Sequence, residues 1–590
     1  MPRWPTPRVF VVSEVERGRR ALERIAARAP AVLGVILDLR DARGSRLRSG
    51  ADARGACVEA VAVAVPAAAS ADPGPEGAAE AEAEESPARP DVLVLDAATL
   101  RALGGVAALR PLFEAREPDA RPPYVVFDDA QRALTILAEH LPEAAWPRRR
   151  GCIKTAETLL AAGADRHRDH RPLERSVREF LGHELPDQAL TGLLGRAGAK
   201  TLHERLAAEA ETILALMRRF TPQLRERRLA GVYQFECDLL TPVVAMERAG
   251  IGLDAPGFER VAGGWVRERR SLDTASAEPG ESEEDFEARV AARAARLDKL
   301  VSTYRWWARD FVDADRRIRC RLHPLAADSG RFSCTEPNLQ QVPSEYTAPG
   351  LRACFVPAPG HRLIVADYAQ IELRVAAHLA PCDALGAVFR AGRDPHRATA
   401  ATLTGKPEPE VESHERKLAK AVNFGFLFGM GARRFRSYAA SGYGLDLDER
   451  QAAEAREAFF RTFPGIAAWH RRVGALSRRG DHEAITVTTA MGRRKTFPAG
   501  RFSFNAALNI PVQGTAAEGF KAAMIRLHRE LPSIGGRGVL VVHDEYLAEV
   551  PEARAEEGKA MVEAHMIAAM GELVHTVPIV VEAEIAAHWS

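Results

Sequence analysis

Val539-Leu-Val-Val-His-Asp-Glu-Tyr-Leu-Ala-Glu-Val550 sets two apolar runs, Val539 to Val542 and Tyr546 to Val550, on either side of His543-Asp544-Glu545. Short apolar runs around a tight turn predict a buried β-hairpin. A turn aspartate alone most often caps or turns the chain. The segment His361 to Ala366 predicts another strand, and it too ends on an acid, Asp367; Gln370 to Leu379 predicts a helix directly after it. A shared sheet would bring Asp367 and Asp544 together across a long separation in sequence. Paired carboxylates at such an edge suit hard divalent cations.

Between these acids lies Arg416-Lys-Leu-Ala-Lys-Ala-Val-Asn-Phe-Gly-Phe-Leu-Phe-Gly-Met-Gly431. As a helix it places Arg416, Lys420 and Phe424 four residues apart, drifting only about 40° per step from a straight stripe. Two cations and an aromatic ring on one face can hold the phosphates of a nucleoside triphosphate and cover its base. Taken alone, the same pattern describes a solvated basic face beside a core phenylalanine.

A chain of 590 residues is long enough for several cores, about one per 100–200 residues. Its 81 basic and 80 acidic residues leave a net charge of +1, which excludes a polycation of the histone type, so any nucleic-acid surface must be local. Seven scattered cysteines without C-x-x-C spacing argue against a disulfide framework or a zinc site. No window has the length needed to span a bilayer and no leader-like stretch follows Met1, so the expected location is the cytoplasm, with nucleoid association in a bacterium.

From Val9 to about Met217, short apolar runs (Val32 to Leu39, Ala56 to Val65, Val92 to Leu95, Tyr124 to Phe127) alternate with helical segments (Glu16 to Ala27, Glu204 to Arg218). This predicts an α/β or α+β domain over 1–220, with an Ala/Glu/Pro/Gly tract at 66–90 expected as a disordered insertion. A polar linker at 221–234 follows. Phe235 to Ala249 predicts a helix closed by Gly250, and Ala452 to Arg461 and Gly514 to Leu531 predict further helices in a mixed α/β region.

In the order they occur, the motifs resemble those of the family A, polymerase I-type DNA polymerases. Asp367-Tyr-Ala-Gln-Ile-Glu-Leu-Arg-Val-Ala-Ala-His-Leu resembles that family's motif A, the Arg416 stretch its motif B, and Val542-His-Asp-Glu-Tyr its motif C. Ser329-Gly-Arg-Phe-Ser-Cys-Thr-Glu-Pro-Asn-Leu-Gln-Gln-Val-Pro, Asp394-Pro-His-Arg-Ala-Thr-Ala and Asn509-Ile-Pro-Val-Gln-Gly-Thr-Ala-Ala add three matching blocks. The resemblance is strong from about Phe235 onward and faint before it.

It implies a right-hand fold of palm, fingers and thumb over 235–590, with a shortened thumb near 250–320 and fingers near 385–480. It also implies a DNA-templated DNA polymerase acting on primer–template DNA and deoxynucleoside triphosphates, as a monomer without a membrane. Two Mg2+ ions, replaceable by Mn2+, would be held by Asp367, Asp544 and the backbone carbonyl of Tyr368. Arg416 and Lys420 would grip the triphosphate, with Lys420 the acid for the departing pyrophosphate. Gln370 and His396 would lie on the phosphate side, and Phe424 against sugar and base. Glu372 would exclude a 2′ hydroxyl by bulk. Arg331, Asn338, Gln340, Asn509, Gln513 and His543 match positions that touch primer, template or nascent pair, and Gly425 and Gly429 would admit the template base.

Phe428 departs from the family's usual tyrosine on the template side. The short thumb predicts low processivity and steep salt sensitivity, which suits repair or gap filling; lesion bypass and RNA-templated synthesis are alternatives, as is a non-catalytic nucleic-acid scaffold. Residues 1–220 weakly resemble the family's ribonuclease H-like 3′–5′ exonuclease domain. Asp38 is followed by Leu39 and Arg40 where an Asp-x-Glu pair is expected, and Ala133, Leu206 and Ala210 fall where two aspartates and a tyrosine are expected. Glu209 or Glu211 could supply one acid. One remaining acid cannot hold two metals, so this domain is expected to be inactive, and no 5′-nuclease domain has room here.

Overall fold

The computed structural model describes residues 8–28, 30, 32–40, 57–65, 90–114, 121–162, 173–182, 195–277 and 281–589. The tract expected to be disordered, 66–90, lies outside the described residues apart from Pro90. The chain divides into two compact units, one of Met1–Val244 with Arg471–Gly514 and the other of Ala245–His470 with Thr515–Ser590.

The first unit is built on six strands: β1 (Arg8–Val12), β2 (Val32–Arg40), β3 (Cys57–Val65), β4 (Asp91–Asp96), β5 (Tyr124–Phe127) and β6 (Arg149–Cys152). Their order is β1-β4-β3-β2-β5-β6. The β3 strand runs antiparallel to both of its neighbours, β2 and β4, whereas β5 is parallel to β2, β6 to β5 and β1 to β4. Near-continuous Val, Leu, Ile and Ala runs account for the burial of the central strands β4, β3, β2 and β5 on both faces, with Val61, Val63, Val94 and Val126 at zero exposure. The long Gly195–Glu226 helix packs over the sheet at Gly34, where a Cβ would come within 2.8 Å of the Ala210 carbonyl. Only glycine allows that approach.

The second unit centres on four antiparallel strands in the order Arg537–Val542, Glu545–Pro551, His361–Tyr368, Val581–Ala586. The expected hairpin is present, with a turn one residue shorter than the sequence suggested. Glu545 pairs with Val542, leaving His543 and Asp544 as the two turn residues. His543 takes φ 59°, a left-handed conformation that such turns demand and that histidine tolerates better than most residues. The Ala555–Leu573 helix buries Val562, Met566 and Met570, and its Met566 carbonyl accepts the Tyr368 hydroxyl at 2.7 Å. This bond fixes the end of the strand that carries Asp367.

The helical part of this unit includes Ser413–Leu427, Ala432–Tyr443 and Glu449–Thr462, joined at Phe426, Phe435 and Phe459. The Ser413 helix begins with a reciprocal cap between Glu412 and Glu415 and stops at Leu427, so Phe428 and Gly429 lie beyond it. Gly429 has φ 78°, the conformation that ends helices. Gly425 lies against the Phe435 ring, which a Cβ would approach to 2.8 Å. The close approach it permits is therefore that of the next helix in the chain. Among the described residues, no helix is long and apolar enough to cross a membrane.

Candidate active site

The strand ends bring two of the sequence-selected acids together. Asp367 pairs in register with Glu545 on one side and Glu582 on the other, and Asp544 occupies the adjacent turn. Directly opposed residues share a sheet face, so Asp367 stands between two glutamates. Burial, and after it the carboxylates of Asp544, Glu545 and Glu582, push Asp367 up to about 7. Asp367 is nevertheless open to solvent. Water screens part of the burial effect there, and the neighbouring carboxylates add to it. Burial also raises Asp544, which Arg331 and His543 partly offset.

This donor set fits divalent cations. A cation relieves the repulsion that raises Asp367, and hard ions of the Mg2+ type are commonly held by one or two carboxylates, with water and substrate oxygens completing the sphere. Among the described residues, no three His, Cys, Asp or Glu side chains gather as a closed metal cage.

Glu372 begins the Ile371–Leu379 helix, after Gln370 at φ 56°. Its carboxylate accepts from Arg331 Nη2 at 2.7 Å, and its side chain is 15% exposed, which rules out a freely solvated helix glutamate. The same Arg331 guanidinium lowers Asp544 and disfavours protonation of His543, so Arg331, Glu372, His543 and Asp544 form one neighbourhood. Burial is the main cause of the lowered His543 pKa.

A second cluster gathers on the Ser413 helix. Arg416 donates through Nε to Asp394 at 2.6 Å. Asp394 also caps the Pro395–Thr404 helix by accepting from the His396 amide. Burial pushes the Asp394 carboxyl up, but Arg416 and that amide together hold it below its ordinary range. Asn423 donates to His396 Nδ1 at 2.9 Å, which leaves the imidazole proton on Nε2. Burial, with Arg416 and Lys420 nearby, lowers His396 to about 4 despite Asp394. It is a neutral donor at pH 7. The His396 and Phe424 rings lie 5.8 Å apart, and Lys420 is exposed on the same helix. The expected stripe of Arg416, Lys420 and Phe424 is therefore accessible along its length.

The remaining selected residues are more dispersed. Gln340 is buried and donates to the Val541 carbonyl at 3.4 Å. Asn338 Oδ1 is buried and finds no hydrogen-bond partner among the described residues. Asn509 and Gln513 belong to the first unit, on the Phe504–Glu530 helix, and Asn509 Oδ1 likewise lacks a partner among the described residues. Such buried acceptors are suited to an incoming donor. Sequence reasoning missed Glu545, Glu582 and Trp589 as members of the acidic neighbourhood. Glu545 stands inside the quoted motif, whereas nothing local marks Trp589.

In the first unit, Asp38 lies on β2 opposite Ala60. Ala133, Leu206 and Ala210 are buried core residues. Glu209 is paired with Arg205 at 2.8 Å within the same helix.

The sequence profile described as DNA polymerase family A matches residues 278–590. The chain belongs to that family.

Among its relatives within and around family A, a thermostable DNA polymerase I of Thermus filiformis is 40% identical over 277 residues, 45% of this chain and 32% of that protein. DNA polymerase I of Pseudomonas aeruginosa is 37% identical over 322 residues, 52% and 34% of the two chains. That of Rhizobium leguminosarum is 30% identical over 434 residues, 67% and 41%. The aligned regions span about a third to two fifths of these relatives' lengths. The solved structure described as the POL domain of Pol1 from M. smegmatis, in complex with DNA primer-template and dNTP, superposes with a TM-score of 0.76 at 23% identity, over 98% of this chain and 99% of that one. This is a likeness of fold.

Proposed function

We propose that this chain is a DNA-templated DNA polymerase that adds deoxynucleotides to a primer 3′ hydroxyl, with Mg2+ at Asp367 and Asp544. The observation that carries the proposal is the pairing of these acids at adjoining strand ends, where burial and like-charge crowding together raise Asp367 to about 7. Family membership and the likeness to a polymerase solved with primer-template and dNTP support it.

Divalent cations bound there would activate the 3′ hydroxyl and stabilise the leaving oxygen. The chain's own residues bind and orient. Asp367, Asp544 and the Tyr368 carbonyl would supply oxygen ligands. Arg416 keeps its Nη groups for phosphate oxygens while Nε is committed to Asp394, and Lys420 offers a second cation and a proton for the pyrophosphate. His396 would donate from Nε2, and Gln370 would lie on the phosphate side. Phe424 would cover sugar and base, with Phe428 on the template side. Glu372, held by Arg331, would occupy the space a 2′ hydroxyl needs. Asn338, Gln340, Asn509, Gln513 and His543 would contact the duplex and nascent pair, where hydrogen bonds sense pair shape without reading sequence.

We read the four-stranded sheet with its covering helix as the palm, 385–480 as fingers and a shortened 250–320 as thumb. That reading assigns the chain gap filling or repair with low processivity. The first unit reads as a ribonuclease H-like exonuclease domain without activity. Its three antiparallel strands followed by two parallel ones support the fold, and apolar core residues at 133, 206 and 210 support the loss. The test is extension of a labelled primer–template with the four deoxynucleotides, on matched and 3′-mismatched primers. Extension without trimming of the mismatch is expected. Tight DNA binding without extension would instead favour a scaffold, and trimming abolished by Asp38→Ala would overturn the inactive-nuclease reading.

A further inference from the structure

Glu545 is a third carboxylate beside the proposed cation site, since it stands directly across from Asp367 and next to Asp544 in sequence. It is nonetheless held elsewhere. Trp589 Nε1–H donates to both of its oxygens, at 3.2 and 3.3 Å. The indole has little freedom to move. Trp589 has zero exposure, its ring meets Phe355 edge-on at 5.3 Å, the Arg352 guanidinium lies 4.2 Å over its face, and its backbone N–H donates to the Phe355 carbonyl at 2.8 Å. Three contacts and full burial thus fix a group whose only polar side-chain atom is directed at one acid.

We infer that Trp589 is a positioning residue that holds the Glu545 carboxylate out of the coordination sphere of Asp367 and Asp544. The inference rests on the polymerase reading for the presence of cations there. The absence of a three-acid cage among the described residues is its independent support, because the register would otherwise permit one. An additional carboxylate would tighten binding of a free cation and would fill positions that substrate oxygens need. Restraint of Glu545 keeps the sphere open.

The experiment measures Mn2+ affinity of the full chain by electron paramagnetic resonance, without DNA or nucleotide. Trp589→Phe keeps the ring and removes the N–H. It should bind Mn2+ more tightly, by about fivefold or more, and Trp589→Phe combined with Glu545→Gln should return to about the wild-type value. Unchanged affinity in a folded Trp589→Phe protein, or a gain that persists in the double variant, would overturn the inference. If Trp589→Phe fails to fold, Glu545→Gln alone decides. Loss of this neighbouring charge should lower its affinity by no more than about threefold, and a loss of about tenfold or more would make Glu545 a ligand and sink the proposal. Asp367→Asn separates the two readings. It should weaken Mn2+ binding, and if it does not, the cation site itself is misplaced, whatever Trp589 does.

Discussion

Arg331 donates to Glu372 across 2.7 Å, joining the segment after Ser329 to the first turn of the helix that follows Asp367. A carboxylate held this way cannot swing aside for a bulkier sugar. Glu372→Ala should therefore raise ribonucleotide incorporation relative to deoxynucleotide by about 10–200-fold, the range for one pocket contact. Arg331→Ala should raise it in the same direction but less, because it frees the gate without removing it. Competing single-nucleotide incorporation reads both, and unchanged sugar selectivity in Glu372→Ala would refute the gate.

The Ser413 helix is seated by a missing methyl group. A Cβ at Gly425 would come 2.8 Å from the Phe435 ring, which is itself buried against Phe426 at 4.4 Å and cannot yield freely. Gly425→Ala should lower stability by about 1–3 kcal/mol through overpacking, even though alanine is the better helix former. Chemical denaturation measures this, and a stabilised protein would contradict the packing account.

His470 donates from Nε2 to the Leu427 carbonyl at 2.8 Å, at the end of that same helix. Burial, with Arg456 nearby, lowers its pKa to about 4 although the carbonyl contact opposes the shift. Between that value and the ordinary 6.5 the unfolded chain binds a proton that the folded chain refuses. The stability from His470 is therefore complete above pH 6.5 and lost as pH falls toward 4, by at most about 3 kcal/mol. His470→Gln keeps a donor without the titration, so its stability should decline less over this interval. Parallel profiles for the two proteins would contradict the assignment.

The sheet and its two acids were legible because both depend on local signals, apolar runs of strand length that end on charged residues. The Arg416, Lys420 and Phe424 stripe was legible for the same reason. Boundaries were less so. The Phe504–Glu530 helix starts ten residues before the Gly514 that sequence suggested, because Pro511 reads as a break and yet lies inside the helix. Contacts between distant segments left no local trace. Nothing in the sequence near Glu372, Asp394 or Glu545 announces Arg331, Arg416 or Trp589 as its partner, since a fork of donors finds its carboxylate only when the fold closes. The role of Gly425 was hidden likewise, because Phe435 becomes its neighbour only through helix packing.

The most direct measurement is single-turnover extension of a primer–template with Mg2+ by the wild-type chain and by Asp367→Asn and Asp544→Asn. Removing either carboxylate deprives the transferring oxygens of several kcal/mol of charge stabilisation, so each variant should be slower by about a hundredfold or more while still binding DNA. Extension at the wild-type rate by either variant would contradict the account.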